Sequence, residues 1–268
     1  MKYLFDHQKD FLRRFNKAKA IFLFFDYDGT LTPIVKKPEW ATLPKVNKRV
    51  IKKLIKKKWS SVVVVSGRAL KDVKKLVGIK GITYAGNHGL ELEGPKLKYL
   101  NKKALVLKKK LDLIHSQLVD ELGGFSKVLI EHKGLTLSVH YRLVKSKRIV
   151  RKVFKTIDEI TKKYVQQEKI RISHGKKVVE IKPNIGWNKG KIVLWLLKYF
   201  RGRISSKNYL AIYLGDDTTD EDAFKVLKTN GIGIFVGNPR KRSQAKFYLE
   251  NTKQVTEFLE TISQRGNG

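Results

Sequence analysis

The chain has 268 residues, 41% of them hydrophobic, and a formal net charge of +34. That length can bury one large core, or a core with a smaller companion. The absence of cysteine excludes disulfides and thiolate metal sites, and apolar runs such as Ile21–Phe25 and Val62–Val65 are too short to span a bilayer. So basic a chain invites a nucleic-acid reading, because lysine neutralises phosphate and releases counterions. Yet Lys52-Lys53, Lys56-Lys57-Lys58 and Lys108-Lys109-Lys110 alternate with Leu, Ile and Val at helical spacing. That is the solvated side of an amphipathic helix, and no nucleic-acid module accompanies it. We expect no specific nucleic-acid function, no membrane partner and a surface that attracts anionic substrates. The opening MKYLFDHQKDFLRRF has scattered charges and no apolar core of a signal peptide, so the expected compartment is the cytoplasm.

In chain order, residues 21–26 read as a buried strand ending at Asp26. Residues 46–57 read as a helix with Val46, Val50, Ile51, Leu54 and Ile55 on one side. A second buried strand, 61–65, ends at Ser66; a short helix over 70–77 and a strand near 82–85 follow. Continuous apolar strands separated by helices predict a parallel sheet covered on both faces. The middle differs. One long helix is expected over 102–121, then strands near 126–131 and 135–141. The second of these alternates Leu135, Leu137 and Val139 with polar residues, the pattern of a half-exposed antiparallel strand. A helix near 146–165 and strands near 170–173 and 178–182 complete an α+β segment. The alternation then resumes: helix 188–200, buried strand 209–214, helix 221–227, strand 232–236 and a terminal helix 254–263. The expected organisation is an α/β core, 1–100 with 184–268, interrupted by an inserted α/β domain over 101–183.

Ligands of open parallel sheets bind at the carboxyl ends of the strands. Three such ends carry related chemistry: Asp26-Tyr27-Asp28-Gly29-Thr30, Ser66-Gly67-Arg68, and Gly215-Asp216-Asp217-Thr218-Thr219-Asp220. A lone DxD says little; DxDGT directly after a buried strand, with a serine and an acidic cluster at two further ends, says much more. A carboxylate can attack phosphorus. Clustered carboxylates form a hard oxygen site suited to Mg2+, which offsets their repulsion with a phosphate dianion. A second carboxylate two residues on can protonate a leaving oxygen and later deprotonate water.

These residues resemble the haloacid dehalogenase superfamily of phosphatases. The resemblance implies a Rossmann-like core with Asp26 as nucleophile, Asp28 as general acid/base, Ser66 as a donor to the phosphoryl group, and Lys189, in Trp187-Asn188-Lys189-Gly190, as the neutralising cation. It implies Mg2+ held by Asp26, the backbone carbonyl of Asp28 and Asp216, with Asp217 and Asp220 supporting or ligating it. The resemblance narrows further. Asp26–Ile34, Val65-Ser66-Gly67-Arg68, Gly86-Asn87-His88-Gly89 with Glu91, Val139-His140-Tyr141-Arg142, Val179-Glu180-Ile181-Lys182-Pro183 and Gly215–Phe224 are similar to motifs of trehalose-6-phosphate phosphatases. The match runs in order from about residue 20 to 240 and implies an α/β cap as the insert. It further implies a sugar-phosphate substrate contacted by Gly67, Arg68, Asn87, His88, Gly89, Glu91, His140, Arg142, Glu180 and Lys182. A separate trehalose-phosphate synthase would be a partner, and the chain a monomer. Sucrose phosphate, a glycosyl phosphoglycerate or a glucosylglycerol phosphate are the alternative substrates, since the core chemistry does not distinguish them.

Several of these residues have plainer readings. Ser66 would serve as a helix N-cap, Glu180 as a surface acid and Arg142 as a solvated strand end. His132 and His140 lack neighbours at metal-ligand spacing and read as structural or substrate-facing. Gly231, Gly233 and Gly237 have the wrong spacing and position for a dinucleotide loop.

Overall fold

The computed structural model describes residues 1–204, 206–229, 231–239 and 243–266. A two-residue strand β1 (Lys2–Tyr3) and helix α1 (Gln8–Lys17) precede β2 (Ala20–Asp26), α2 (Lys45–Leu54), β3 (Ser60–Val65), α3 (Leu70–Val77), β4 (Thr83–Gly86), β5 (Glu91–Gly94) and β6 (Leu97–Leu100). The middle holds α4 (Lys102–Val106), α5 (Lys108–Leu122), β7 (Leu129–His132), β8 (Leu137–His140), α6 (Lys147–Gln166), β9 (Ile170–Gly175) and β10 (Val178–Pro183). The chain ends with α7 (Lys189–Arg201), β11 (Tyr209–Gly215), α8 (Glu221–Leu227), β12 (Gly231–Val236), β13 (Phe247–Leu249) and α9 (Thr252–Ser263). Two compact units result: Met1–Tyr99 with Asn188–Gly268, and Leu100–Trp187. No described helix is long and apolar enough to cross a membrane.

The first unit carries a nine-stranded sheet in the order β1-β13-β12-β11-β2-β3-β4-β5-β6. Its neighbours from β1 to β4 are parallel, and β5 turns back antiparallel on β4. All seven residues of β2 are buried because both faces are covered. Ile21, Leu23 and Phe25 join the cluster that holds Phe11 and Phe15 of α1, Val50, Ile51 and Leu54 of α2, and Phe258 and Leu259 of α9. Phe22 stacks on Phe200 of α7, while Phe24 stacks on Tyr213, which meets Phe224 of α8 edge-on. Each buried Leu, Ile or Phe contributes about 1.5–3 kcal/mol, which ties the central strand to both layers. From β2 the chain proceeds outward through β3 and β4 on one side; β11, β12 and β13 continue on the other. The strand order therefore reverses between β2 and β11, a switch point that leaves a crevice beyond the strand ends.

The second unit is a four-stranded antiparallel sheet, β7-β8-β10-β9. One face, including Leu137, Val139, Val179, Ile181 and Ile170, packs on Leu111, Ile114, Leu118 and Leu122 of α5 and Val153 and Ile157 of α6. The opposite face is polar. Three departures from the expected elements occur here. The single helix expected over 102–121 is two, broken at Leu107 (ψ −4°), with Asn101 capping the first; neither glycine nor proline marks the break. The strand expected from residue 126 begins at Leu129, because Phe125 and Val128 donate their N–H groups to turn carbonyls, of Leu122 and Phe125. The strand expected over 135–141 is confined to Leu137–His140.

Candidate active site

Strands β2 and β11 run parallel, Leu214 beside Phe25, and so deliver Asp26 and Asp216 to the same end of the sheet at the switch point. Oxygens of Asp26, Asp216 and Asp220 lie within 4.8 Å of one another, and all three residues are buried. Lys189, 3% exposed at the first turn of α7, places its Nζ 2.6 Å from Asp26 Oδ1 and 2.7 Å from Asp220 Oδ1. Asn188 caps that helix by accepting the Lys191 N–H. Gly190 admits the helix end to its seat: a Cβ there would stand 2.4 Å from the Asp222 carbonyl oxygen.

Asp220 is fully committed. One oxygen accepts from Lys189 Nζ and the Tyr213 hydroxyl, the other from the backbone N–H groups of Asp216 and Asp217. With both oxygens carrying two donors, it acts as a clamp on Lys189 and on the acidic loop. Asp217 is half-buried and accepts the Thr218 N–H at the start of a 3-10 turn. Asp26 and Asp216 are the other two carboxylates of the cluster. Asp216 rests on Gly29, whose φ is +88°; a Cβ would meet Asp216 Oδ2 at 2.2 Å, so only glycine fits.

Burial pushes Asp26 well above the usual carboxylate range; Asp220 and Asp216 add to the push and Lys189 opposes it. Burial also works against the Lys189 ammonium, but Asp220 and Asp26 outweigh it and hold that group well above the ordinary lysine range. Three carboxylates around one ammonium leave a buried excess of negative charge. A hard divalent cation on Asp26 and Asp216 fits this donor set of oxygens alone and the glycine cradle beneath it.

Asp28 lies at the rim. Its two oxygens accept a bidentate pair from Arg68 Nε and Nη2, at 2.7 and 2.6 Å. Arg68, expected at the substrate, is therefore held on Asp28. Ser66 is 1% exposed and its Oγ accepts the Arg68 N–H; α3 starts four residues later, so Ser66 is not its N-cap. The Gly86–Gly89 segment is strained, with Asn87 at φ +49° and His88 at φ +56°. Glu91 steadies it by accepting from Asn87 Nδ2 and the Leu70 N–H. This turn lays the His88 ring over Gly67 and covers Gly89 with Ile192 of α7.

In the second unit, cross-strand register aligns Glu131, Ser138, Glu180 and Ser173 across the polar face. Glu180 accepts from Lys182 at 2.8 Å and has Lys133 at 3.7 Å. His140 bonds Glu131 at 2.9 Å. Burial lowers the Lys182 pKa, against the pull of Glu180. Ser138 Oγ, Ser173 Oγ and Arg171 Nε are buried without a hydrogen-bond partner, a condition that an ordered water, an ion or a ligand would relieve. Arg142 does not join this cluster: it is exposed and donates to the Lys176 carbonyl oxygen. His132 points away from His140, to the other face, where it bonds Asp112 at 2.8 Å. Glu131, Lys133, Ser138, Arg171 and Ser173 were not singled out from the sequence. Ser138 was signalled by the alternation, since it shares the parity of His140 on β8; the others share that face only through the cross-strand register.

With the geometry in view, the comparisons are informative. The trehalose-phosphatase family profile matches residues 24–253. Over 260 residues the chain is 34% identical to probable trehalose-phosphate phosphatase D of Arabidopsis thaliana, covering 92% of this chain and 68% of that protein. It is 35% identical over 254 residues to the trehalose-phosphate phosphatase of Mycobacterium tuberculosis (strain ATCC 25618 / H37Rv), covering 92% and 62%. It thus spans about two thirds of the length of these relatives. The C-terminal domain of C. albicans trehalose-6-phosphate phosphatase has the same fold, with a TM-score of 0.81 at 24% identity over 96% of each chain. A haloacid dehalogenase-like hydrolase from Bacteroides thetaiotaomicron shares it more distantly, with a TM-score of 0.62 at 14% identity over 91% of this chain and all of the other. A buried lysine clamped between the strand-end Asp26 and Asp220 of the acidic turn, on this fold and with this sequence match, means that the chain belongs to the trehalose-phosphatase family.

Proposed function

We propose that the chain hydrolyses trehalose 6-phosphate to trehalose and phosphate through a covalent phosphoryl group on Asp26. The observation that carries this reading is the buried Asp26–Lys189–Asp220 clamp beside Asp216. Lys189 holds one oxygen of Asp26 and leaves the other to face phosphorus. Attack forms the bond from Asp26 oxygen to phosphorus, and the bond from phosphorus to the sugar oxygen breaks. Asp28 supplies the proton that the leaving sugar oxygen needs. For that, the Arg68 fork transfers from Asp28 to the incoming phosphate, whose paired oxygens suit it equally. Water then attacks the phosphoryl group, Asp28 takes its proton, and Asp26 is regenerated. Mg2+ bound by Asp26, Asp216 and the Asp28 carbonyl would screen the negative charge between carboxylates and phosphate. Ser66 and the backbone around Gly67 are the donors for the phosphoryl oxygens.

Sugar hydroxyls need partners once dehydrated. The polar face of the second unit carries groups of the kind that pair with them: the Glu180–Lys182 pair, His140, and Ser138 Oγ, Ser173 Oγ and Arg171 Nε. Phosphate release from a panel of sugar phosphates tests the reading. Trehalose 6-phosphate should give the highest kcat/KM, chelator should abolish turnover, and Mg2+ should restore it. Preference for another sugar phosphate would overturn the substrate assignment. Turnover that survives chelation would overturn the metal assignment.

A further inference from the structure

Two concave cavities open in the first unit at the amino-terminal end of its sheet, away from the carboxylates, and share Tyr209. Strand β11 runs from Tyr209 to Gly215, so at about 3.3 Å per residue the cavities lie roughly 20 Å from the acidic loop. The larger, about 700 Å³, has an apolar floor that includes Leu194, Leu197, Val226 and Leu227. Its cations are Lys198, Arg201 and Lys207, and no carboxylate lines it. The smaller, about 600 Å³, is lined by Arg13, Arg14, Lys17 and Lys246 together with Asp10. Asp10 is already bound by Arg13 at 2.9 Å. Among the described residues, Arg14, Lys17, Lys198 and Lys207 have no ion-pair partner.

Cations are favoured at the carboxyl ends of α1 and α7, where backbone carbonyls carry roughly half a negative charge per helix. That accounts for some basic residues, but the helix ends here offset only a small part of seven cations facing one paired carboxylate. The two cavities meet at Tyr209, over which the Arg201 guanidinium lies 5.1 Å from the ring centre. The Tyr209 ring itself is packed against Phe22 and under Arg201, so the exposed Arg201 guanidinium is the planar group on which a base would lie; a concave, basic, partly apolar groove of this kind matches a flexible strand whose phosphates pair with cations and whose bases stack. A flat bilayer or a stiff duplex does not follow two pockets of this size. The Asp and Glu side chains of an acidic peptide would pair with the cations but leave the apolar floor uncovered.

We propose that this groove is a second binding surface, one that takes single-stranded nucleic acid through its phosphodiester chain without regard to sequence. The net charge of +34 steers the polyanion to the protein, and the groove localises it.

The test is fluorescence anisotropy on the whole chain with labelled oligo-U and oligo-A RNA across a salt series. One variant replaces Arg14, Lys17, Lys198 and Lys207 with Gln. A second, matched in net charge, replaces Lys52, Lys53, Lys56 and Lys75, which are exposed on or beside α2 and α3 and line neither cavity. The groove variant should lose at least about tenfold in affinity. Its salt slope should fall by about 0.7 for each phosphate that it leaves unpaired. The matched variant should bind nearly as the unaltered chain does, the two RNAs should bind alike, and phosphatase turnover should be retained in both variants. Equal losses in the two variants would assign binding to the diffuse field of the surface and overturn the groove. No binding by the unaltered chain near physiological salt, or poly-glutamate competing as well as RNA, would overturn the choice of partner.

Discussion

The sheet of the first unit is buried on both faces and the sheet of the second on one, and the two put their polar residues to different uses. In the first, every side chain along β2 is buried, so the polar chemistry is confined to the strand end, where Asp26 stands. There it is held rigidly: Lys189 is locked by two carboxylates and Asp220 by four donors. In the second, the polar groups are spread along the strands, and several buried ones still lack a partner. A preformed, saturated cluster suits one invariant reaction. A broad face with unsatisfied groups suits recognition of a ligand rich in hydroxyls. The proposed function divides reaction and specificity between the two units, and substitutions can break that division or sharpen it.

The largest effect is expected from Asp26→Asn. The amide is a poor nucleophile, and kcat should fall at least about a thousandfold on every substrate. Circular dichroism should remain that of the folded chain. Next comes Lys189→Met, which leaves Asp26 and Asp220 buried without their cation. Breaking such a pair from one side costs about 3–5 kcal/mol, so urea unfolding should shift to much lower denaturant and turnover should collapse. A variant with unaltered stability would mean that the clamp is not an electrostatic keystone. Gly29→Ala tests the cradle beneath Asp216. The added methyl must displace that carboxylate, and activity should fall roughly a hundredfold, partly recovered at high Mg2+. Activity close to that of the unaltered chain would remove Asp216 from the metal site. The smallest effect is the most selective. Glu180→Ala should lower kcat/KM for trehalose 6-phosphate by at least about tenfold, or 1.4 kcal/mol, while a small aryl phosphate is hydrolysed nearly as before. Equal losses on both substrates would make Glu180 a support of the fold.

The same contrast explains what was legible from sequence. Buried parallel strands announce themselves as apolar runs, and their ends are read directly: Asp26, Ser66 and Asp216 stand at or just beyond the last residues of β2, β3 and β11. The roles within the acidic cluster were less legible. That Asp220 is saturated by Lys189, Tyr213 and two backbone amides depends on how a turn closes, which spacing alone does not fix. Arg68 was readable as a substrate contact but not as the partner of Asp28, a pairing across forty residues. On the second unit, Glu180 and Lys182 stood out, whereas Glu131 and Lys133 on β7 and its edge became visible only once the register set them on the same face. Arg142 shares the parity of His140 but follows the end of β8, and it turns to a carbonyl in the turn between β9 and β10. Elements outside the strong patterns were also missed. Helix α1 buries only Phe11 and Phe15, and β13 is three residues long, too short for a periodicity to emerge.

The central claim is that Asp26 carries the phosphoryl group. Asp28→Asn keeps the nucleophile but lacks the base that activates water, so with Mg2+ and an aryl phosphate of good leaving ability the covalent species should accumulate. Intact-mass and peptide mass spectrometry of that variant, quenched in acid, should find one added phosphoryl group on the peptide that contains Asp26, and none in the double variant that also carries Asp26→Asn. A phosphoryl group on Ser66, or phosphate release from the double variant at the rate of Asp28→Asn alone, would contradict the claim.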